Sequence, residues 1–437
     1  MKTEIRPENE MKDSGIEYVG EIPKDWDLER LRVYFCERKN KNREGNEDNL
    51  LSLSYGRIIR KNIDKTDGLL PASFNTYNIV EKNDIIIRPT DLQNDKRSLR
   101  TGLVTEHGII TSAYIDLMPI GTVDSKFFHY LLHSYDILKV FYNMGSGVRQ
   151  GLNYSEFSKL KVPMPSLSEQ QAIADYLDET CSKIDEIIAE AKASIDEYKE
   201  LKKSVITNIT THGLRDVSLI NSGNMDIGMI PDTWSICKTL YGLAMPITDG
   251  PHVTPELLDD GIAFISAEAV SCGRGSIDFN HMRGYISEEF YNECCKKYVP
   301  QRDDIYMIKS GATTGTVSIV DTDRKFTIWS PLAVFRVNRD RLNPRYLFYF
   351  LQSKSYQQQV QLGWTFGTQQ NIGMRTLEQL KICLPPLGEQ AEIVEYLDNK
   401  LPQIDSLIIE KEALIADLEA YKKSLIYELV TGKRRVV

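Results

Sequence analysis

Apolar residues recur along this chain in two rhythms. Through residues 20–162, and again through 228–382, short β-branched and aromatic runs are broken by Gly, Pro, Asn and Asp; examples are Asn83-Asp-Ile-Ile-Ile-Arg88 and Thr316-Val-Ser-Ile-Val320. That pattern reads as a mixed α/β or β-rich domain. One helix is expected inside each, at Ser125-Lys-Phe-Phe-His-Tyr-Leu-Leu132 and Asn343-Pro-Arg-Tyr-Leu-Phe-Tyr-Phe-Leu351. After each domain the period changes to threes and fours. A short helix is expected near Ser168 and Gly388, and a longer one from about Ser182 and Pro402, since proline suits a first helical position. In the later stretch Ile404, Leu407, Leu414, Leu418, Tyr421 and Leu425 form a stripe that lapses at Lys411. In the earlier one Ile184, Ile187, Ala191, Tyr198, Leu201 and Val205 form the matching stripe, lapsing at Ser194. Both read as heptad faces with a charged outer side.

The chain is written twice. Gly20-Glu-Ile-Pro-Lys-Asp-Trp26 recurs as Gly228-Met-Ile-Pro-Asp-Thr-Trp234, an offset of 208. Pro165-Ser-Leu-Ser-Glu169-Gln170-Gln-Ala-Ile173 recurs as Pro385-Pro-Leu-Gly-Glu389-Gln390-Ala-Glu-Ile393, an offset of 220. Tyr176-Leu177-Asp178 and Tyr396-Leu397-Asp398, Ile184-Asp185 and Ile404-Asp405, and Lys202-Lys203-Ser204 and Lys422-Lys423-Ser424 keep that offset. Repeats of this order mark a tandem duplication. The segments are residues 1–162 and 216–382, globular, and 163–215 and 383–437, helical. Two matched stripes in one chain are expected to pair with each other, although each could instead lie on its own domain. A helix of about 28 residues spans roughly 42 Å, and successive major-groove faces of DNA lie roughly 34 to 36 Å apart. Antiparallel pairing would thus hold two different readers about one helical turn apart.

These motifs resemble those of the specificity subunits of type I restriction-modification systems over nearly the whole chain. The resemblance is carried by the twofold Gly-x-Ile-Pro-x-x-Trp entry, the Pro-x-Leu-x-Glu-Gln-x-x-Ile-x-x-Tyr-Leu-Asp run, and the Ile-Asp helices ending at Thr211-His-Gly and Thr431-Gly-Lys. It implies an α+β (mixed) fold: two target recognition domains joined by two long antiparallel coiled-coil helices, related by a pseudo-twofold repeat. It also implies double-stranded DNA as ligand and two methyltransferase subunits as partners, which methylate adenine N6 with S-adenosylmethionine. Two translocase–nuclease subunits using ATP and Mg would complete a restriction enzyme. No cofactor is expected on this chain itself. A coiled-coil scaffold with protein-binding heads, or an orphan or anti-phage relative with the same DNA-reading heads, remain alternatives.

Composition adjusts this picture slightly. The chain has 437 residues, 41% hydrophobic and 26% charged, and a formal net charge of −9. The acid excess lies mainly in the helical and connecting stretches, so the globular segments are free to present basic faces. The N-terminus has no apolar core and no apolar run nears membrane-spanning length, which gives a cytoplasmic expectation. Cys36, Cys181, Cys237, Cys272, Cys294, Cys295 and Cys383 form no CxxC pair, so no zinc ribbon or redox site is supported. His129 and His133 are four apart on the expected helix but lack further ligands, and are read as hydrogen-bonded or solvated. The chain shows no Asn/Asp-Pro-Pro-Tyr/Phe methyltransferase element and no Walker motif, and Glu37 and Lys39 form a triplet expected by chance. A subunit without its own chemistry is expected.

The candidate DNA contacts lie in loops. In the first domain these are Arg88, Asn94, Lys96, Arg97, Arg100 and Thr101, then Arg149, Gln150 and Asn153. In the second they are Lys309, Ser310, Thr313 and Thr314 in a Ser-Gly-x-x-x-Gly turn, then Thr368, Gln369, Gln370 and Asn371. Arg and Lys neutralise phosphates or bond guanine, and Gln and Asn pair with adenine; the alternative is a solvated loop. Trp26 and Trp234 are expected as core anchors.

Overall fold

A computed structural model describes residues 2–63, 73–90, 92, 99–142, 144, 151–366 and 370–437. The chain forms two compact units, one of Met1–Ala191 with Ala413–Val437 and one of Lys192–Glu412. Each long helix contributes one part to each unit.

The same sheet is built in both. In the first unit four antiparallel strands run in the order Thr101–Leu103, Ile85–Ile87, Ile115–Pro119, Phe35–Glu37. In the second the order is Val317–Ile319, Ile305–Ile308, Leu332–Phe335, Thr248–Asp249. The turn entering Ile85–Ile87 is repeated before Ile305–Ile308 at the 220 offset. Asn83 and Asp303 adopt positive φ, 77° and 70°. The next residues, Asp84 and Asp304, are each 1% exposed and accept from the backbone N–H three residues earlier at 2.8 Å. Arg38 pairs with Asp84 in one unit and Arg336 with Asp304 in the other, so an arginine from a different strand neutralises the same buried carboxylate. The expected inner helices are Ser125–Ile137 and Pro344–Gln352. Asp124 and Asn343 cap them by accepting from first-turn N–H groups.

The Glu-Gln repeats act as joints. Gln170 donates to the Pro165 carbonyl at 3.0 Å and accepts from the Asp124 N–H at 2.9 Å; Gln390 does the same with Pro385 and Asn343 at 2.8 and 2.7 Å. Asp178 accepts from Lys126 and Tyr130, and Asp398 from Arg345 and Tyr349. Trp26 is 1% exposed and donates its indole N–H to Glu169 at 3.0 Å; Trp234 is 4% exposed and donates to Glu389 at 3.0 Å. Each ring is closed from the far side by the glycine that ends the other long helix. A carbon placed on Gly432 would lie 3.0 Å from Trp26, and one on Gly213 3.1 Å from Trp234; both glycines have positive φ, which further disfavours a side chain.

The long helices differ from expectation in two ways. Each is one uninterrupted element, Leu167–His212 of 46 residues and Leu387–Val430 of 44. Pro402 lies inside the second, on its exposed side, where water can take the carbonyl it leaves unbonded. The buried stripe also matches expectation only in part, sharing Ile184, Ala191, Ile404 and Leu425 with it. Ile184, Ile188, Ala191 and Ile195 are at most 8% exposed, as are Leu401, Ile404 and Ile408. Ile187, Leu201, Leu407, Leu414 and Tyr421 are 39–50% exposed and stand outside the seam. Tyr198, Val205 and Leu418 are half-buried, and Leu425 is buried. The true register places Lys202 and Lys422 in the stripe. An apolar pattern passes over lysines, yet their stems cover the seam while the ammonium groups reach Asp405 and Asp185, each at 2.6 Å. In the first unit Trp26 joins Glu169 to Gly432, and farther along both helices Asp185 meets Lys422 in a groove, so the two segments run antiparallel there.

His129 and His133 line that groove. The nitrogens His129 Nε2 and His133 Nδ1 are enclosed with no hydrogen-bond partner among the described residues. Burial pushes the His129 imidazole down to about 4, against the Thr101 carbonyl; burial, with His129 and Lys422 nearby, pushes His133 down to about 3.

Two outcomes follow from this packing. In denaturant melts Ile188→Ala should cost about 2–4 kcal/mol and Ile187→Ala less than about 1 kcal/mol, the reverse of the order expected had the sequence stripe been the seam. Because the histidines stay neutral when folded and charge first when unfolded, they stabilise fully above about pH 6.5 and lose that contribution as pH falls, by up to about 1.4 kcal/mol per pH unit each. Asp116, pushed up to about 8 by burial and by Asp84 beside it, has the opposite sign. Melting curves of wild type and His129→Phe/His133→Phe between pH 7 and 4 therefore isolate the histidine part: wild type should fall more steeply.

Candidate nucleic-acid interface

The two loop segments singled out in each domain meet in the fold. In the first domain the Pro89 carbonyl accepts from the Leu152 N–H at 3.0 Å. In the second the Lys309 carbonyl accepts from the Ile372 N–H at 2.9 Å, the same bond at the 220 offset. Gly311 donates to the Gln370 carbonyl at 3.0 Å, and Ser310 bridges to Asn371. The second segment here is a small hairpin, Thr365–Phe366 with Gln370–Asn371. Each head thus has one junction of two loops beside the end of its central strand.

Individual candidates fare differently. Asn94, Lys96, Arg97, Arg149, Gln150, Thr368 and Gln369 lie outside the described residues. Arg88 is half-buried at the start of the first loop, its N–H donating to the Arg100 carbonyl at 2.8 Å. Arg100 does not face outward as expected. It is 0% exposed, its Nε donates to the Tyr142 hydroxyl at 2.9 Å, and its guanidinium also bonds the Thr90 carbonyl. Its backbone N–H donates to Asp136 at 2.6 Å. Burial raises the Asp136 carboxyl while that N–H and Tyr142 hold it down. Arg100 therefore braces the loop from beneath: its polar stretch predicts a surface position, but Tyr142 and the Thr90 carbonyl satisfy its donors inside. Thr101 is likewise 0% exposed, inside the sheet. Asn153 is exposed but caps the short helix Tyr154–Phe157 by accepting from the Glu156 N–H, so its acceptor is occupied.

In the second head Thr313 and Asn371 are exposed and Ser310 and Gln370 half-buried. Thr314 turns its hydroxyl back to the Gly311 carbonyl at 2.7 Å. The Lys309 side chain is 14% exposed and its ammonium stands 3.3 Å from Asp249. Asp249, 1% exposed, is also met by Lys297 and by His252 at 3.2 Å. The sequence reading missed this carboxylate, whose only signal was a turn-like Asp-Gly-Pro-His run. A groove of about 680 Å³ in the second unit, lined by Lys199, Lys202, Lys203 and Arg274, is no open anion site, because each cation has a carboxylate within 4 Å. Among the described residues no three His, Cys, Asp or Glu side chains are placed to hold a metal ion, and no helix is long and apolar enough to cross a membrane.

Comparison with known proteins places this geometry. The chain is 23% identical to the type I restriction enzyme MjaVIII specificity subunit of Methanocaldococcus jannaschii, over 95% of this chain and 94% of that protein. It is 23% identical to the EcoBI specificity subunit of Escherichia coli over 71% of this chain and 66% of that one. A solved chain from work on complex assembly and conformational transition of the type I R-M system has the same fold, with a TM-score of 0.69 at 17% identity, covering 94% of this chain and 99% of the other. The model of the type I restriction modification DNA specificity domain matches twice, over residues 55–197 and 261–419, more than half of the chain. With one copy of that domain in each half of the duplication, the chain belongs to the family of type I restriction-modification specificity subunits.

Proposed function

We propose that the chain reads a bipartite, asymmetric DNA target, one short sequence by each head, and positions methyltransferase subunits for adenine N6 methylation. The observation that carries this reading is the repeated loop junction, Pro89 with Leu152 and Lys309 with Ile372, built on one backbone plan with different side chains. A shared scaffold with unlike loops suits two readers of two different sequences. The paired helices serve as the spacer between the two half-sites. The chain is the recognition subunit and not the catalyst; S-adenosylmethionine belongs to the methyltransferase partners, and ATP and Mg to translocase–nuclease partners where restriction occurs.

The exposed apolar residues on the long helices fit a docking role. Ile187 and Leu407, and Leu201 and Tyr421, are equivalent at the 220 offset and 40–50% exposed. Two like patches from a duplicated chain match two like partner subunits.

The test is assembly with a methyltransferase subunit followed by sequencing of methylated adenines. A split motif with two unlike halves is expected, and DNA affinity should fall steeply with salt as phosphate contacts are screened. Heads that bind protein instead would give no methylation motif and no salt-dependent DNA binding. Leu407→Asp should weaken co-purification of the methyltransferase by at least about tenfold, since it places a charge in an apolar contact; full recovery of partner would remove the docking assignment.

A further inference from the structure

Among the described residues, Arg283 and Arg324 are the arginines of the second head that lie over an aromatic ring without an ion pair, Arg324 being 4.5 Å from the centre of Phe279. Arg302, Arg336, Arg339 and Arg345 are each tied to a carboxylate. Arg283 is exposed, and among the described residues its side chain has no ion pair and no hydrogen bond. Its guanidinium lies instead 3.7 Å from the centre of the Trp329 ring, the shortest cation–ring contact among the described residues. The Trp329 backbone is fixed from two sides: its N–H donates to the Ile265 carbonyl at 2.9 Å and its carbonyl accepts from Leu332 at 3.1 Å. Its ring leans on buried Phe264, with centroids 6.4 Å apart.

This stack adjoins the loop junction. Gly250 presses so closely on Ile328 and Trp329 that an added carbon would lie 2.1 Å from the Ile328 carbonyl oxygen and 2.8 Å from the Trp329 carbonyl carbon. The preceding residue, Asp249, holds the Lys309 ammonium, and the Lys309 N–H donates to the Pro331 carbonyl, two residues after Trp329, at 2.8 Å. Arg283, Trp329, the Asp249 turn and the Lys309–Asn371 junction therefore form one linked patch.

A guanidinium held over an indole is kept in place by the ring while its N–H groups stay free to donate. Two parallel donors in a fixed plane match the O6 and N7 acceptors that guanine shows in the major groove. Holding the fork before contact reduces the ordering cost of binding. We infer that Arg283, stacked on Trp329, is a specificity-determining residue that takes a guanine edge in the half-site of the second head. The inference rests on the DNA-reading function proposed above.

The experiment uses the full chain assembled with its methyltransferase, and competition binding to duplexes substituted one base pair at a time. Arg283→Ala should lose about 5- to 150-fold of the preference for guanine at one base pair. Preferences in the half-site read by the first head should stay unchanged. Arg283→Lys, which keeps the charge without the fork, should lose the same preference while retaining non-specific affinity. Trp329→Leu should give a smaller loss at that same base pair. If Arg283→Ala keeps every base preference, or weakens all duplexes equally as a phosphate contact would, the inference fails while the DNA-reading function stands. If the wild-type assembly itself shows no sequence preference, the underlying function fails with it.

Discussion

The fold depends on two buried tryptophans, each of which must satisfy one polar atom and cover one large ring. The indole N–H of Trp26 goes to Glu169, at the start of one long helix, and its ring is closed by Gly432, at the end of the other. Trp234 has the same relation to Glu389 and Gly213. A buried donor without a partner would cost about 1–3 kcal/mol, so the carboxylate cannot be moved freely. A glycine at positive φ is the residue that lets a helix end lie on the ring. In each unit the indole thus fastens an outgoing helix to a returning one. The Glu-Gln motif and the Thr-rich helix ends are the sequence trace of that joint.

From the joint follows a division of labour within each head. The framework of each head is repeated almost bond for bond: the glutamine clamp, the Asp178 and Asp398 anchors, and the N–H bonds to Asp84 or Asp304. At the loop junction only the backbone bond repeats, while Pro89 and Thr90 stand where the other copy has Lys309 and Ser310. Buried polar groups tolerate little change because every partner must be replaced together. Exposed loop side chains carry no such constraint and can diverge, which is what a family of recognition subunits requires.

The long helices illustrate how an apolar pattern can be misread by one residue. A stripe through Ile187, Leu201, Leu407 and Tyr421 scores well as hydrophobic, yet those residues are among the more exposed apolar ones. The packed stripe runs through Ile188, Lys202, Ile408 and Lys422 instead. A lysine in a seam is costly to no one when its stem lies on apolar surface and its charge meets a carboxylate such as Asp405 or Asp185. Arg100 is the same lesson in a loop: a charged residue in a polar stretch was buried because Tyr142, Asp136 and the Thr90 carbonyl answer its donors.

Taken alone, the sequence determined the duplication, the α+β class, the alternation of globular and helical segments, the tryptophan anchors and the family. All of these are recorded in residues that are near in the chain or repeated at a fixed offset. Only the tertiary structure decided which stripe of each helix is the seam, that Arg100 and Thr101 are interior, and that Lys309 answers Asp249. It alone brought Arg283 onto Trp329 beside the loop junction. The physical reason is that burial and pairing of charged groups depend on partners far away in the chain, and composition and local periodicity carry no information about which distant carboxylate, carbonyl or ring will meet them.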